Sequence, residues 1–314
     1  MNETMKRTLD MFRTSCGADI CQWLYEDDNV IEIMLNPDGK LWLDVLGAGM
    51  KDTGCILDQS SARRIINIAA SFMETECNSD NPIISAELPG TGERFEGLIP
   101  PVVTSPVFSI RKKAIKIFSL DDYVKQNIMT EKQKELIIKA VKEAQNILIV
   151  GGTGTGKTTL ANAILDEISK TGSRVVILED TAELQCNAPN YLNLRARSEE
   201  NQSMQSLLKS TMRLRPDRII VGEVRDKAAL DLLKAWNTGH PGGIATVHAN
   251  SALDGLYRLE QLIAEASSSP QRQLIAQAIN IIVFIKRFGT GRKIEQIAKM
   301  KSLENNDYHL EYIV

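Results

Sequence analysis

Five short apolar runs punctuate the chain from residue 146 onward: "NILIV" (146–150), "RVVILE" (174–179), "RIIVG" (218–222), "GIATVHA" (243–249) and "NIIVFI" (280–285). Near-continuous apolarity over a few residues is the pattern of a strand buried on both faces. The intervening stretches read as helices, and that alternation predicts a sheet with helices on its faces. Thr130 and Gln133 form a capping-box signal at the head of a helix that lines up Leu136, Ile137, Ala140, Val141 and Ala144. "KIEQIAKM" and "HLEYIV" read as edge strands of the same domain.

The first hundred or so residues have a different rhythm, predicted as short strands and one helix. "NVIEIMLNPDGKLWLDV" (29–45) places two β-rich runs around Asn36-Pro37-Asp38-Gly39, a hairpin signal. "QSSARRIINIAASFMETE" (59–76) sets Ile65, Ile66, Ala69, Ala70 and Met73 at helical spacing. "RFEGLIPP" and "VFSIRKK" read as two strands separated by prolines. The expected organisation is an α+β domain over 1–113, a linker over 114–130 and an α/β domain over 131–314.

Composition narrows the class. With 43% hydrophobic and 25% charged residues in 314, the chain is a globular protein with room for two cores. A net charge of −3 gives no general pull toward nucleic acid or anionic membrane. The five cysteines are scattered, with no CxxC, which argues against a disulfide framework and a zinc site and for a reducing cytoplasm. No secretory signal opens the chain, and no apolar run reaches the roughly 18 residues of a spanning helix. Any membrane association is therefore expected to be peripheral.

The sharpest chemistry is "GGTGTGKTT" (151–159), standing between a predicted strand and a predicted helix. In that context Gly151, Gly152, Thr153, Gly154, Thr155 and Gly156 let successive backbone N–H groups wrap phosphate, and the helix N-terminus adds favourable partial charge. Lys157 is placed to reach the β- and γ-phosphates of ATP, the Thr158 hydroxyl to ligate Mg²⁺, and Thr159 completes the loop. Ligands of such sheets sit at the carboxyl ends of strands. There "LEDTAEL" delivers Glu179, Asp180 and Glu183, and "VGEVRD" delivers Glu223. One acid is expected to serve the Mg²⁺ shell and another to orient water, although Asp180 fits a helix N-cap equally well. In "TGHPGGIATVHAN" (238–250), His248 ends a strand at the nucleotide end, where it suits contact with the γ-phosphate or Glu223. His240 suits a turn, a subunit contact or a phosphate contact.

The ordered set "GGTGTGKTT", "LEDTAEL", "RPDRIIVGEVRD" and "TGHPGGIATVHANS" resembles the Walker A, Asp box, Walker B and His box of the traffic ATPases of type II and type IV secretion. The Pro-Gly-Gly of the last motif and "NPDGKLWLD" look most like the conjugative-transfer, TrbB-like branch. The resemblance implies a RecA-like P-loop ATPase domain behind the smaller N-terminal domain. It further implies a Mg-dependent ATP hydrolase working as a hexameric ring on the cytoplasmic side of the inner membrane, partnered by inner-membrane components of a type IV secretion or conjugation apparatus. It points to Glu183 and Glu223 as metal-shell and water-positioning groups, with Glu223 beside Thr158 at the metal. Arg94 and Arg111 become its candidate arginines against the nucleotide phosphates, where a guanidinium stabilises spread charge. Arg195, Arg197, Arg213, Arg215 and Arg225 compete for a role across a subunit interface.

Three other functions stay open at this point. A type II secretion or pilus-type motor shares the motifs but usually carries a tetracysteine zinc motif absent here. A nucleotide-gated binding module would use ATP without hydrolysis. A RecA-like nucleic-acid motor is disfavoured by the acidic balance and the lack of an aromatic, basic strand-binding run, so no stable nucleic-acid binding is expected.

Overall fold

The structure is a computed structural model that describes residues 3–90, 92–113, 117–197, 200–267, 269–289 and 291–313. It separates into two compact units, Met1–Ile115 and Lys116–Val314.

In the first unit, helix α1 (Glu3–Tyr25) precedes strands β1 (Val30–Leu35), β2 (Lys40–Val45) and β3 (Gly49–Ile56). Helix α2 (Gln59–Ser71) and strands β4 (Ile83–Glu87), β5 (Arg94–Leu98) and β6 (Val107–Arg111) complete it. The predicted hairpin is β1–β2, and all six strands form an antiparallel sheet in the order β3-β2-β1-β6-β5-β4. Asp58 caps α2 by accepting from the Ser60 and Ser61 amides. The single helix expected here is in fact two. Helix α1 buries Leu9, Phe12, Cys16, Ile20 and Leu24, one apolar residue per turn, but the surrounding polar residues and a break at Gly17 (φ 75°) hide that narrow stripe. Both helices cover the sheet, where Phe12 meets Phe95 at 6.2 Å and Phe95 stacks on Phe108 at 5.6 Å.

The second unit begins its regular structure with α3 (Leu120–Lys125) and α4 (Glu131–Lys142). Residues 114–116 of the expected linker lie outside the described residues. The rest is not a free connector, because Leu120, Tyr123 and Met129 are buried in this unit's core. Thr130 and Gln133 make the reciprocal capping box at the head of α4.

The chain continues as β7 (Ile147–Val150), α5 (Lys157–Ser169), β8 (Val175–Glu179), β9 (Tyr191–Arg195), α6 (Met204–Thr211) and β10 (Arg218–Val221). It closes with α7 (Ala228–Asn237), β11 (Ile244–Val247), α8 (Ala252–Ala264), α9 (Arg272–Ala278), β12 (Ile281–Phe288), β13 (Gly291–Glu304) and β14 (Asp307–Ile313). The sheet order is β14-β13-β12-β7-β11-β10-β8-β9, parallel from β12 to β9 and antiparallel at β13 and β14. The core on one face packs α3, α4 and α5, and the core on the other packs α6 to α9. Edge strand β9, not predicted from the sequence, is a five-residue alternation in which Leu192 and Leu194 turn inward between three exposed residues. Parallel strands bring every β-to-α turn to one pole of the sheet, and this ordering positions the site.

Candidate functional site

The glycine loop leaves β7 at the carboxyl pole and enters α5 through Gly156, which adopts φ 95° as the residue before the helix. Only glycine takes that left-handed conformation without strain. Lys157 starts the helix and is buried, its ammonium donating to the carbonyls of Gly151 (3.0 Å) and Gly152 (2.9 Å). The same Nζ lies 3.2 Å from His248 Nδ1.

His248 stands one residue past β11, and its Nε2 lies 2.9 Å from Glu223 Oε1. Glu223 in turn follows β10, with Oε2 accepting from Arg225 at 2.8 Å. Arg225 reaches on to Asp180 Oδ2, just beyond β8, at 2.5 Å. Four adjacent strand ends thus deliver one continuous chain, Lys157–His248–Glu223–Arg225–Asp180.

Its electrostatics assign the protons. Burial pulls the His248 pKa below the ordinary imidazole value, the Lys157 charge adds to that, and Glu223 opposes it. The ring is therefore neutral at pH 7. A carboxylate accepts, so Nε2 carries the proton and Nδ1 accepts from the Lys157 ammonium. For Glu223, burial pushes the pKa up, but the Arg225 hydrogen bond and charge, with His248 and Lys157, win and hold it below the usual carboxylate range. Glu223 is an anion at the end of a buried strand.

The loop after β8 is fixed by two buried side chains that sequence reasoning had given no role of this kind. Glu179 Oε2 accepts from the amides of Glu183 (2.8 Å) and Leu184 (2.9 Å). Asn162, on the buried face of α5, donates to the Glu183 carbonyl at 3.1 Å and accepts from the Gln185 amide at 2.9 Å. Glu183 is thereby tied to the helix that begins with Lys157. An asparagine inside the apolar run "TLANAIL" was the available signal. Asp180 is not a helix cap, since no helix follows it before β9. Gly222 has its own reason: a Cβ there would stand 3.1 Å from Glu179 Cβ.

Neither Thr158 nor Thr159 donates its hydroxyl to a protein group among the described residues. Those residues contain no cluster of three or more His, Cys, Asp or Glu suited to a metal. Mg²⁺ takes few protein ligands and is usually completed by phosphate and water, so a lone available hydroxyl fits it.

The other predicted residues separate. Arg94 and Arg111 are direct cross-strand partners in the first unit, within a register row Glu32, Arg111, Arg94, Glu87. The row alternates with the buried Phe95 and Ile110, so it lies on the face turned away from that unit's core. Arg225, grouped above with interface arginines, spends its guanidinium within the site. His240 sits at the opposite pole from His248, before β11 rather than after it, with Nδ1–H donating to the Pro216 carbonyl at 2.9 Å. A four-residue strand separates the two imidazoles, so His240 is excluded from the phosphate role left open above.

Among the described residues no helix is long and apolar enough to cross a membrane. The family described as Type II/IV secretion system protein matches residues 63–302. The conjugal transfer protein TrbB of Rhizobium radiobacter is 49% identical over 308 residues, covering 98% of this chain and 94% of its own. The type IV secretion system protein VirB11 of Bartonella henselae is 30% identical, covering 87% of this chain and 88% of its own. Among solved structures, the Legionella pneumophila ATPase DotB superposes with a TM-score of 0.63 at 19% identity, covering 92% of this chain and 78% of that one.

Proposed function

The chain belongs to the type II/IV secretion system protein family, and from that premise we propose that it is the Mg-dependent ATP hydrolase of a type IV secretion system serving conjugal transfer. The observation that carries this reading is the Lys157–His248–Glu223 chain laid across the mouth of the glycine loop. A structural glycine turn has no use for a buried lysine whose ammonium faces an imidazole already bonded to a carboxylate.

In this reading the loop amides and Lys157 bind the phosphates, with Nζ exchanging the carbonyls of Gly151 and Gly152 for phosphate oxygens. Mg²⁺, when bound, neutralises charge on the β- and γ-phosphates, and Thr158 is its protein ligand. Glu223 accepts one hydrogen bond on each oxygen, from His248 and from Arg225, and each oxygen keeps a lone pair, so Glu223 would orient the attacking water and serve the metal shell, with Glu183 as the second acid. His248 couples the two halves of the event. While Lys157 rests on Nδ1 the imidazole is occupied, and once Lys157 moves to phosphate, Nδ1 is released while Nε2–H keeps Glu223 aimed.

Arg94 and Arg111, adjacent on one face of the first unit's sheet, supply guanidinium charge toward the nucleotide. The assembled form is a hexameric ring, docked from the cytoplasm on inner-membrane components of the apparatus.

Sizing the purified chain with and without MgATP, alongside phosphate release, tests the proposal. The expected result is Mg-dependent turnover from a ring-sized species. A strict monomer in both states contradicts the ring, and nucleotide binding without turnover contradicts the hydrolase.

A further inference from the structure

Strand β7 ends at Val150, whose partner on β12 is Phe284, yet β12 runs on to Phe288 and β13 returns from Gly291. The tip of this hairpin therefore overhangs the glycine loop. Two glycines of the loop record the contact. A Cβ on Gly151 would stand 2.5 Å from the Ile285 carbonyl oxygen, and a Cβ on Gly156 would stand 3.1 Å from Arg292 Cδ and 3.3 Å from one of its Nη atoms.

Arg292 is the second residue of β13, opposite Arg287, and is half-buried. Its stem lies along Gly156, and among the described residues no carboxylate pairs with its guanidinium. Nearby Lys286 is paired with Glu295, and Arg287 Nε donates to the Gly289 carbonyl. The hairpin thus presents one partly desolvated cation without an acid, against the residue that precedes Lys157. Partial burial of an uncompensated guanidinium is unfavourable unless an anion completes it, and Arg is the side chain suited to bidentate phosphate recognition.

We propose that Arg292 is a phosphate contact of the bound nucleotide, so that the β12–β13 hairpin forms a wall of the site and adds a second cation to Lys157. The proposal rests on reading the glycine loop as an ATP site. It extends that reading to a residue far from the four motifs, on a segment that strand periodicity alone marks as an edge.

The test measures ADP affinity of the full chain by calorimetry, with inorganic pyrophosphate as a competitor that has phosphates and no base. Arg292→Ala is expected to weaken ADP by about ten- to hundredfold, the loss of a charge-assisted hydrogen bond, with pyrophosphate weakened in the same proportion. Arg292→Lys keeps part of the affinity, because the charge remains and the fork does not. If Arg292→Ala fails to fold, Arg292→Gln keeps the stem against Gly156 and carries the same measurement. Unchanged ADP affinity in a folded variant, with the wild type binding normally, overturns the assignment and leaves the ATPase reading standing. Weaker ADP with unchanged pyrophosphate overturns the phosphate contact in favour of one to the base. Absence of ADP binding by the wild type overturns the ATPase reading itself.

Discussion

The two poles of the parallel sheet use the same residue types for opposite purposes. At the carboxyl pole His248, Glu223 and Arg225 bond to one another and on to Asp180 and Lys157, whose ammonium also rests on two main-chain carbonyls of the glycine loop, in a half-open setting that holds an anionic carboxylate and a neutral imidazole side by side. At the amino pole Asn146, Arg218 and His240 bond to the main chain. Asn146 Oδ1 accepts from the amides of Gly242 (2.7 Å) and Gly243 (3.0 Å) while its Nδ2 donates to the Ala278 carbonyl at 2.7 Å. Arg218, buried, donates to the carbonyls of Gly242 (3.2 Å) and Val141 (2.9 Å). A polar group with no ionisable partner is holding the fold. One that has an ionisable partner can change partners when a charged ligand arrives.

That contrast breaks apart under mutation. Lys157→Ala should lower kcat by about 10²–10³-fold, the scale for losing a positioned charge, while thermal melting stays near the wild type. Arg218→Ala, leaving buried carbonyls unanswered, should cost about 2–4 kcal/mol of stability in denaturant titration and leave kcat per folded molecule intact. Loss of turnover in folded Arg218→Ala would mean the poles are not separable.

The histidine pair gives a finer cut. His248→Ala should reduce kcat by about tenfold or more, as expected for a group that aims another. His240→Ala should remove one hydrogen bond's worth of stability, about 1 kcal/mol, with kcat unchanged. Equal effects of the two substitutions on kcat would erase the distinction drawn between them.

The smallest effects are directional. In the nucleotide-free protein the His248 pKa, followed by NMR, should lie below 6.5. Lys157→Ala should raise it and Glu223→Gln should lower it further, because the first removes a repelling cation and the second a favourable anion. A histidine whose folded pKa lies below its unfolded value makes the unfolded state bind more protons as the pH drops. The His248 contribution to stability is therefore lost as pH falls through 6.5 toward the folded pKa, and recovers as pH rises.

How much of this was legible before the fold depends on where the information lies. Runs such as "NILIV" announce buried parallel strands because nothing but burial on both faces selects them. Motif order and strand direction then place Lys157, Glu223 and His248 at one pole. Helix α1 was missed because one apolar residue per turn, interrupted at Gly17, leaves little amphipathic signal. The split of "TGHPGGIATVHAN" was legible in part: the buried run "GIATV" puts His248 at the nucleotide end, but the place of His240 stayed open until the fold showed it bonded to the Pro216 carbonyl at the other end of that strand. Arg225 was unreadable as a partner of Asp180 for a related reason: the two lie on adjacent strand ends, 45 positions apart. Contacts of that kind are properties of strand order, which no local window contains.

The most direct test of the central claim is single-turnover hydrolysis of MgATP by Glu223→Gln, with nucleotide affinity measured in parallel. The account predicts ATP bound at least as well as by the wild type and phosphate release slowed by about a hundredfold or more. Phosphate release at the wild-type rate would remove Glu223 from the chemistry and contradict the account.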